Sequence, residues 1–488
     1  MVDFLDRGEL LLVLQGFNPW WVGKTFEVPE FRRLAFWVSK RYLTDPSLRR
    51  AVLLSGPRRV GKTTVLLQLA KSMSERGECP PKSILYLSLD HPMLKLVSLP
   101  EILRLYHENV YPEGKPVFLF LDEVQYSDDW ELHLKQIIDH KPEYRILATG
   151  SATVVHQRDL IDSGVGRWIR VAMPTLSFYE FVRICGEDNT EIPDDIRPVD
   201  LFNMCNSELL QLAARFRPLM PLFQRYLLVG GFPETAKMID VGLCQRLLRE
   251  DVVERVLKRD MTALFGIRNV NDLEKLFIYL CIHSGNIIEV KTCAQALSIS
   301  PNTVSNYLAA LEKTGLIFRL PPVPTHGKKI LKARYKIYLA DAALRNAVLL
   351  RGEEILSNSN EMGLIVETAI LRHLYAYYYQ DNPEIGYWRD PKRKREVDIV
   401  VRSPSYVIPV EVKYRENAFL DPTAGIWLFC QQEKATWAYW VTKQEHDFGV
   451  TAGKGLSTSI LKIPAHIFAY LLGQAERLLA GVDKPGRG

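Results

Sequence analysis

The sequence predicts an α/β protein with a parallel sheet covered on both faces. Two observations lead there. Four short apolar runs, RAVLLS (50–55), ILYLSL (84–89), VFLFL (117–121) and RILA (145–148), recur with helix-compatible sequence between them. Strands buried on both sides read as unbroken apolar runs, and parallel neighbours need a crossover, usually a helix. The first such helix starts at Thr63 (TTVLLQLAKSMSERG), with Gly77 as its stop.

Taken in order, residues 1–45 form a helical segment with an aromatic knot, Asn18-Pro19-Trp20-Trp21, and 46–180 carry the sheet. Over 181–265 strand signals fade and helical ones dominate, with an acidic surface stretch from Glu187 to Asp195. Within 266–325, Lys291 to Leu297 and Pro301 to Thr314 are helices joined by a Ser-Ile-Ser turn. Ser300 suits the N-cap, Pro301 the first helical position and Gly315 the stop. Two helices joined this tightly, then the β-like LIFRL, predict a winged helix-turn-helix. Residues 326–355 form a linker with a basic wing (Lys328, Lys329, Lys332, Arg334, Lys336), 356–470 a final α/β domain, and 471–488 a tail.

Composition narrows the class. At 488 residues, with 47% hydrophobic and 24% charged, the chain is neither collagen-like nor disordered in bulk. A net charge of +5 is too mild to imply a polyanion partner, so any basic surface is local. The 7 Cys are scattered without a CxxC pair, which fits a reduced cytoplasmic protein without a disulfide framework or structural zinc. No apolar stretch approaches the ~18 residues of a membrane span, and the N-terminus does not read as a leader.

Gly56-Pro57-Arg58-Arg59-Val60-Gly61-Lys62-Thr63 fits G-x-x-x-x-G-K-[ST] between a predicted strand and helix. In that context the glycines let backbone N–H groups wrap phosphates, Lys62 reaches the β and γ phosphates, and the Thr63 hydroxyl ligates magnesium. Thr64 continues the helix start. Asp122, ending the apolar run of FLFLDE, is placed to hold magnesium, and Glu123 to orient or deprotonate water. Thr149 and Ser151, at the end of the fourth run, are candidates to sense the γ phosphate.

These motifs resemble those of predicted AAA+ ATPases of bacteria and archaea with an ATPase core, helical lid, winged helix and C-terminal nuclease-like domain. The resemblance rests on GPRRVGKTT (56–64), ILYLSLD (84–90), FLFLDEVQ (118–125) with Trp130, ATGSA (148–152), GRW (166–168), PTLSFYEF (174–181) and YLLVGGFPE (226–234). Family members usually read TGSS where this chain has Thr149-Gly150-Ser151-Ala152, so sensing rests on Thr149 or Ser151. The resemblance makes Arg167 a candidate γ-phosphate contact, in cis or across a subunit boundary. By residue type alone, an Arg paired to a surface carboxylate fits equally well. ATP and Mg2+ are the implied cofactors; the assembly is a homo-oligomeric ring or a monomer.

In the last domain, Arg395 to Val401, a Ser-Pro-Ser turn, and Val407 to Lys413 read as a β-hairpin. Period two puts Glu411 and Lys413 on one face, and the turn brings Asp398 across from them. Upstream, a helix from Leu364 to Tyr379 carries Glu367 on its apolar stripe, where a carboxylate needs a partner such as a metal. The set resembles the PD-(D/E)xK nuclease core: Glu367, Asp398 and Glu411 as ligands of Mg2+ or Mn2+, and Lys413 as the catalytic lysine. Lys392-Arg393-Lys394-Arg395 leads into the hairpin and is placed to grip a nucleic-acid backbone. Lys328 and Lys329 are the wing's candidates. The expected function is an ATP-hydrolysing AAA+ protein acting on DNA, with a C-terminal domain that cleaves or binds it. The alternative is a nucleotide-driven signalling or scaffold switch that cuts nothing.

Overall fold

The apolar runs form the sheet they predict. In the computed structural model, which describes residues 6–127, 129–150, 166–187, 191–323, 334–390, 395–453 and 457–481, the runs become β1 (Ala51–Ser55), β2 (Ile84–Ser88), β3 (Val117–Asp122) and β4 (Tyr144–Gly150). A fifth strand, β5 (Trp168–Ala172), was not anticipated. All pairs are parallel, in the order β2-β3-β4-β1-β5. β1 is buried at every position. Among the described residues, helices α1 (Arg7–Phe17), α2 (Leu34–Thr44), α3 (Lys62–Glu75), α4 (Leu99–Asn109) and α5 (Trp130–His140) also belong to this unit, which ends at Met173. α2 packs on β1, β4 and β5, and α3 on β3 and β4.

The aromatic knot closes the sheet edge. The Asn18 carboxamide accepts from the Tyr86 N–H (2.7 Å) and donates to the Tyr86 carbonyl (2.9 Å), as a neighbouring strand would. Trp20 and Trp21 both donate their indole N–H to the Ile84 carbonyl. Backbone groups of β2 that an open edge would leave to water are thereby satisfied.

The second unit runs from Pro174 to Gly481. Its first helices are α6 (Phe178–Ile184), α7 (Asn206–Phe216) and α8 (Met220–Val229). The sequence suggested a helical lid over 181–265. Phe178 and Tyr179, just before that span, and Phe216 within it meet Tyr470 ring to ring, so these helices share a core with the C-terminal domain.

The expected helix pair follows: α9 (Val270–Ile282), α10 (Val290–Leu297) and α11 (Pro301–Lys313), with Ser300 accepting from the Thr303 N–H. β6 (Ile287–Ile288), β7 (Ile317–Leu320) and β8 (Tyr335–Leu339) form an antiparallel sheet in the order β6-β8-β7. Helices α12 (Ala342–Leu349) and α13 (Ser359–Tyr377) lead to a mixed six-stranded sheet of β9 (Glu384–Asp390), β10 (Arg395–Ser403), β11 (Tyr406–Lys413), β12 (Trp437–Thr442), β13 (Gly449–Ala452) and β14 (Ser459–Pro464). Its order is β13-β14-β12-β11-β10-β9, and α14 (Gly425–Glu433) and α15 (Ala465–Leu479) pack against it. The predicted hairpin is β10–β11, with Ile399 opposite Val410. Beyond β7, the chain bonds to the β9 edge: Val323 N–H to the Tyr387 carbonyl (2.7 Å) and Tyr387 N–H to the Pro321 carbonyl (2.9 Å). Gly386 permits this, because a Cβ there would collide with the Pro321 carbonyl oxygen.

Candidate nucleotide site and carboxylate cluster

Gly56 leaves β1 against the Met173 carbonyl, where any Cβ would clash. Arg59 (φ 63°) and Gly61 (φ 94°) then take left-handed conformations. These turn the loop so that α3 begins at Lys62 with its free N–H groups facing the loop, a ready anion site. Lys62 is buried and donates to the carbonyls of Gly56 (3.0 Å) and Pro57 (2.8 Å). Thr64 lies in the first turn of α3, and Arg58 donates to the Tyr126 hydroxyl (2.7 Å). Pro57 and Val60 complete the loop.

Asp122 collects three hydroxyls. Thr63 donates to its Oδ2 (2.7 Å), Tyr86 to the same oxygen (3.2 Å), and Thr149 to its Oδ1. Burial raises the Asp122 carboxyl, the neighbouring Glu123 charge adds to this, and the bonds from Thr149 and Thr63 oppose it. Glu123 sits at φ 56°, its N–H bonded to the Thr149 hydroxyl (3.1 Å) and its carboxylate accepting from Gln125. Thr63 and Asp122 are hard oxygen donors that fit magnesium. Ser151 lies outside the described residues. Tyr86 was missed by the sequence reading: within the run ILYLSL it carries no signal beyond a buried strand residue.

Arg167 lies just before β5. Its carbonyl accepts from Ala51 N–H at the start of β1, so it sits at the end of the sheet remote from Gly56, about 16 Å along the strand. Its guanidinium forks onto Asp139 (2.8 and 3.0 Å). Within this chain Arg167 thus pairs with a surface carboxylate, the alternative its residue type allowed.

In the second unit, the structure brings Glu367 (α13), Asp398 (β10), Glu411 and Lys413 (β11) together. Lys413 Nζ lies 2.5 Å from Glu411 and 3.9 Å from Asp398. Asp398 Oδ2 accepts from the Val412 N–H (2.9 Å). Into this group β8 sends Lys336, only 3% exposed. Its Nζ is 3.5 Å from Asp398 Oδ1, 3.7 Å from Glu367 Oε1, and paired with Glu396. Two residues on, Tyr338 donates to Glu367. Burial, then the Asp398 charge, push Glu367 up to about 7 and Glu411 up to about 8, against the pull of the lysines.

Two expectations change here. Lys336, expected on a phosphate-binding wing, is buried in the cluster. The carboxylates expected to ligate metal converge instead around ammonium groups, and among the described residues no group of three or more His, Cys, Asp or Glu is arranged to hold an ion. A divalent metal does not fit the cluster in this arrangement. Lys328, Lys329, Lys332, Lys392, Arg393 and Lys394 lie outside the described residues. Arg395 opens β10, and Arg334 pairs with Glu289 (2.8 Å).

Residues 48–182 match the family described as AAA domain, 220–354 a domain of unknown function (DUF8612), and 362–464 another (DUF4143). An uncharacterized protein of Methanocaldococcus jannaschii is 25% identical over 363 residues, 73% of each chain. One of Haemophilus influenzae is 22% identical over 369 residues, 74% of this chain and 82% of its own. Among solved structures, AMPPCP-bound DnaA from Aquifex aeolicus aligns with 59% of this chain and 90% of its own, at 19% identity and TM-score 0.28. PCH-2 of C. elegans aligns with 46% and 66%, at 17% identity and TM-score 0.27. The match to the AAA domain falls on the parallel sheet and the loop of the first unit. Among the described residues no helix is long and apolar enough to cross a membrane.

Proposed function

We propose that the chain is an ATP-hydrolysing AAA+ protein that acts on DNA. The observation that carries the ATPase reading is Asp122, held by Thr63 and Thr149 beside a lysine-tipped phosphate loop. Lys62 exchanges its two carbonyl partners for the β and γ phosphates, Glu123 orients the attacking water, and Thr149 fixes Glu123 through its N–H. Thr63 and Asp122 would hold magnesium, which would supply charge neutralisation on the phosphates.

The DNA reading is supported by the helix pair with its three-stranded sheet, a winged-helix order of elements. Its second helix exposes Asn302, Ser305 and Asn306. The Lys392 to Arg395 run leading into β10 adds local positive charge for a phosphate backbone. Glu367, Asp398, Glu411 and Lys413 support a PD-(D/E)xK-like core in the last domain. A second reading, a nucleotide-driven switch with a non-catalytic C-terminal module, is favoured by one observation: Lys336 among those carboxylates.

The test is ATP turnover of the full chain with and without duplex, single-stranded and branched DNA. DNA-stimulated turnover, lost in Lys62→Ala, supports the first reading. Turnover indifferent to every DNA, with no DNA bound at low salt, removes DNA from the account and leaves the switch.

A further inference from the structure

We infer that Lys336 is the resident cation of the C-terminal cluster and excludes divalent metal from it. The inference deepens the reading of the last domain and is independent of whether the protein acts on DNA.

Glu367, Glu396, Asp398 and Glu411 bring four carboxylates, and Lys336 and Lys413 two ammonium groups. Each lysine lies against at least two of the acids. Buried carboxylates left without cations would be costly, and here both cations are built into the chain. Lys413 belongs to the hairpin that carries Glu411. Lys336 arrives from a separate sheet, which makes it the component the nuclease-like pattern does not require.

Its position is fixed rather than incidental. β8 pairs on both sides, with Ile287 opposite Lys336 in β6 and Leu320 opposite it in β7. Period two puts Lys336 and Tyr338 on the same face, so one strand delivers both the ammonium and the hydroxyl that meet Glu367. The Tyr387 ring lies 5.6 Å from the ammonium, and the Tyr387 hydroxyl donates to the Arg334 carbonyl (2.7 Å), tying β9 to the start of β8.

Metal and lysine compete for the same oxygens. Magnesium or manganese needs oxygens at about 2.0–2.2 Å. Glu367 Oε1 and Asp398 Oδ1 already flank the ammonium at 3.7 and 3.5 Å. A dication between them would abut a buried monocation in a low-dielectric site, so one must leave. With Lys336 removed, the same acids form an oxygen cage with one fewer positive charge.

The experiment is a calorimetric Mn2+ titration of the nucleotide-free full chain: parent, Lys336→Met, Lys336→Gln, and each variant combined with Asp398→Asn. The parent is expected to show no Mn2+ binding that Asp398→Asn removes. Each Lys336 variant is expected to gain one ion, bound at least about tenfold more tightly than by the parent, and to lose it on adding Asp398→Asn. A parent site abolished by Asp398→Asn overturns the inference, as does a folded Lys336 variant that binds no better than the parent. Should both variants fail to fold, the parent answers alone. Acylation mapped by mass spectrometry is expected to find Lys336 among the slowest lysines, with a rate indifferent to Mn2+. Faster labelling on adding Mn2+ would mean that metal displaces it. ATP turnover of the same samples reports the first unit separately, so a failure of the ATPase reading is distinguishable.

Discussion

The phosphate loop and the C-terminal cluster both hold lysines near buried carboxylates, yet their electrostatics are opposite. In the first, Lys62 rests on backbone carbonyls while Asp122 is satisfied by neutral hydroxyls. The partners named here are neutral, and the Lys62 charge also favours the Asp122 carboxylate. In the second, the acids and lysines are partners of each other. Carboxylates at a strand end therefore do not by themselves define a metal centre. Their nearest neighbours decide.

The largest expected effect lies in the first region. Lys62→Ala should abolish turnover and weaken nucleotide binding, whereas Glu123→Gln should bind ATP yet turn it over about 10²- to 10⁴-fold more slowly. Binding assays beside single-turnover kinetics separate the two. A Glu123→Gln protein hydrolysing at the parental rate would take the water-orienting role away from that residue.

In the cluster, removing one member leaves buried charge behind. Lys336→Met should cost the second unit about 3–5 kcal/mol in denaturant unfolding. Asp398→Asn should cost less, since it deletes one of four acids and keeps an oxygen for the Val412 N–H. If the two residues act as a pair, the double variant should be more stable than the sum of the singles implies, by about 0.5–3 kcal/mol. Strict additivity would mean that they do not interact.

The smallest effect at neutral pH belongs to a buried histidine. His466 is buried, neither ring nitrogen has a hydrogen-bond partner among the described residues, and burial depresses it to about 3. Above pH 6.5 both folded and unfolded chains are neutral there. As pH falls below 6.5 the unfolded chain takes a proton that the folded one refuses, so stability declines. Comparing the parent with His466→Leu isolates this group. The variant's advantage should grow by about 1.4 kcal/mol per pH unit below 6.5, and an advantage independent of pH would refute the assignment.

What the sequence revealed follows the range of its signals. The runs of β1 to β4, the phosphate loop and the β10–β11 hairpin are local patterns, and each formed. Glu367 was legible because a carboxylate on an apolar stripe demands a partner. β5 was not, because Trp-Ile-Arg-Val-Ala is short and interrupted by Arg170, with burial complete only at Val171. Lys336 was hidden for a different reason. It sits in the basic run KKILKARYK, which reads as a solvated wing, and its partners lie 31 to 62 residues away along the chain. Arg167 shows a similar limit: the resemblance supplied a role, in cis or across a subunit boundary, but only the register of β1 with β5 shows which end of the sheet it occupies.

The contrast between the regions is tested most directly by Mn2+ titration of the parent, following the free ion by paramagnetic resonance, with and without a non-hydrolysable ATP analogue. The account predicts one ion per chain, bound only with the analogue, lost in Asp122→Asn and kept in Asp398→Asn. An ion bound without nucleotide, kept in Asp122→Asn and lost in Asp398→Asn, would contradict it.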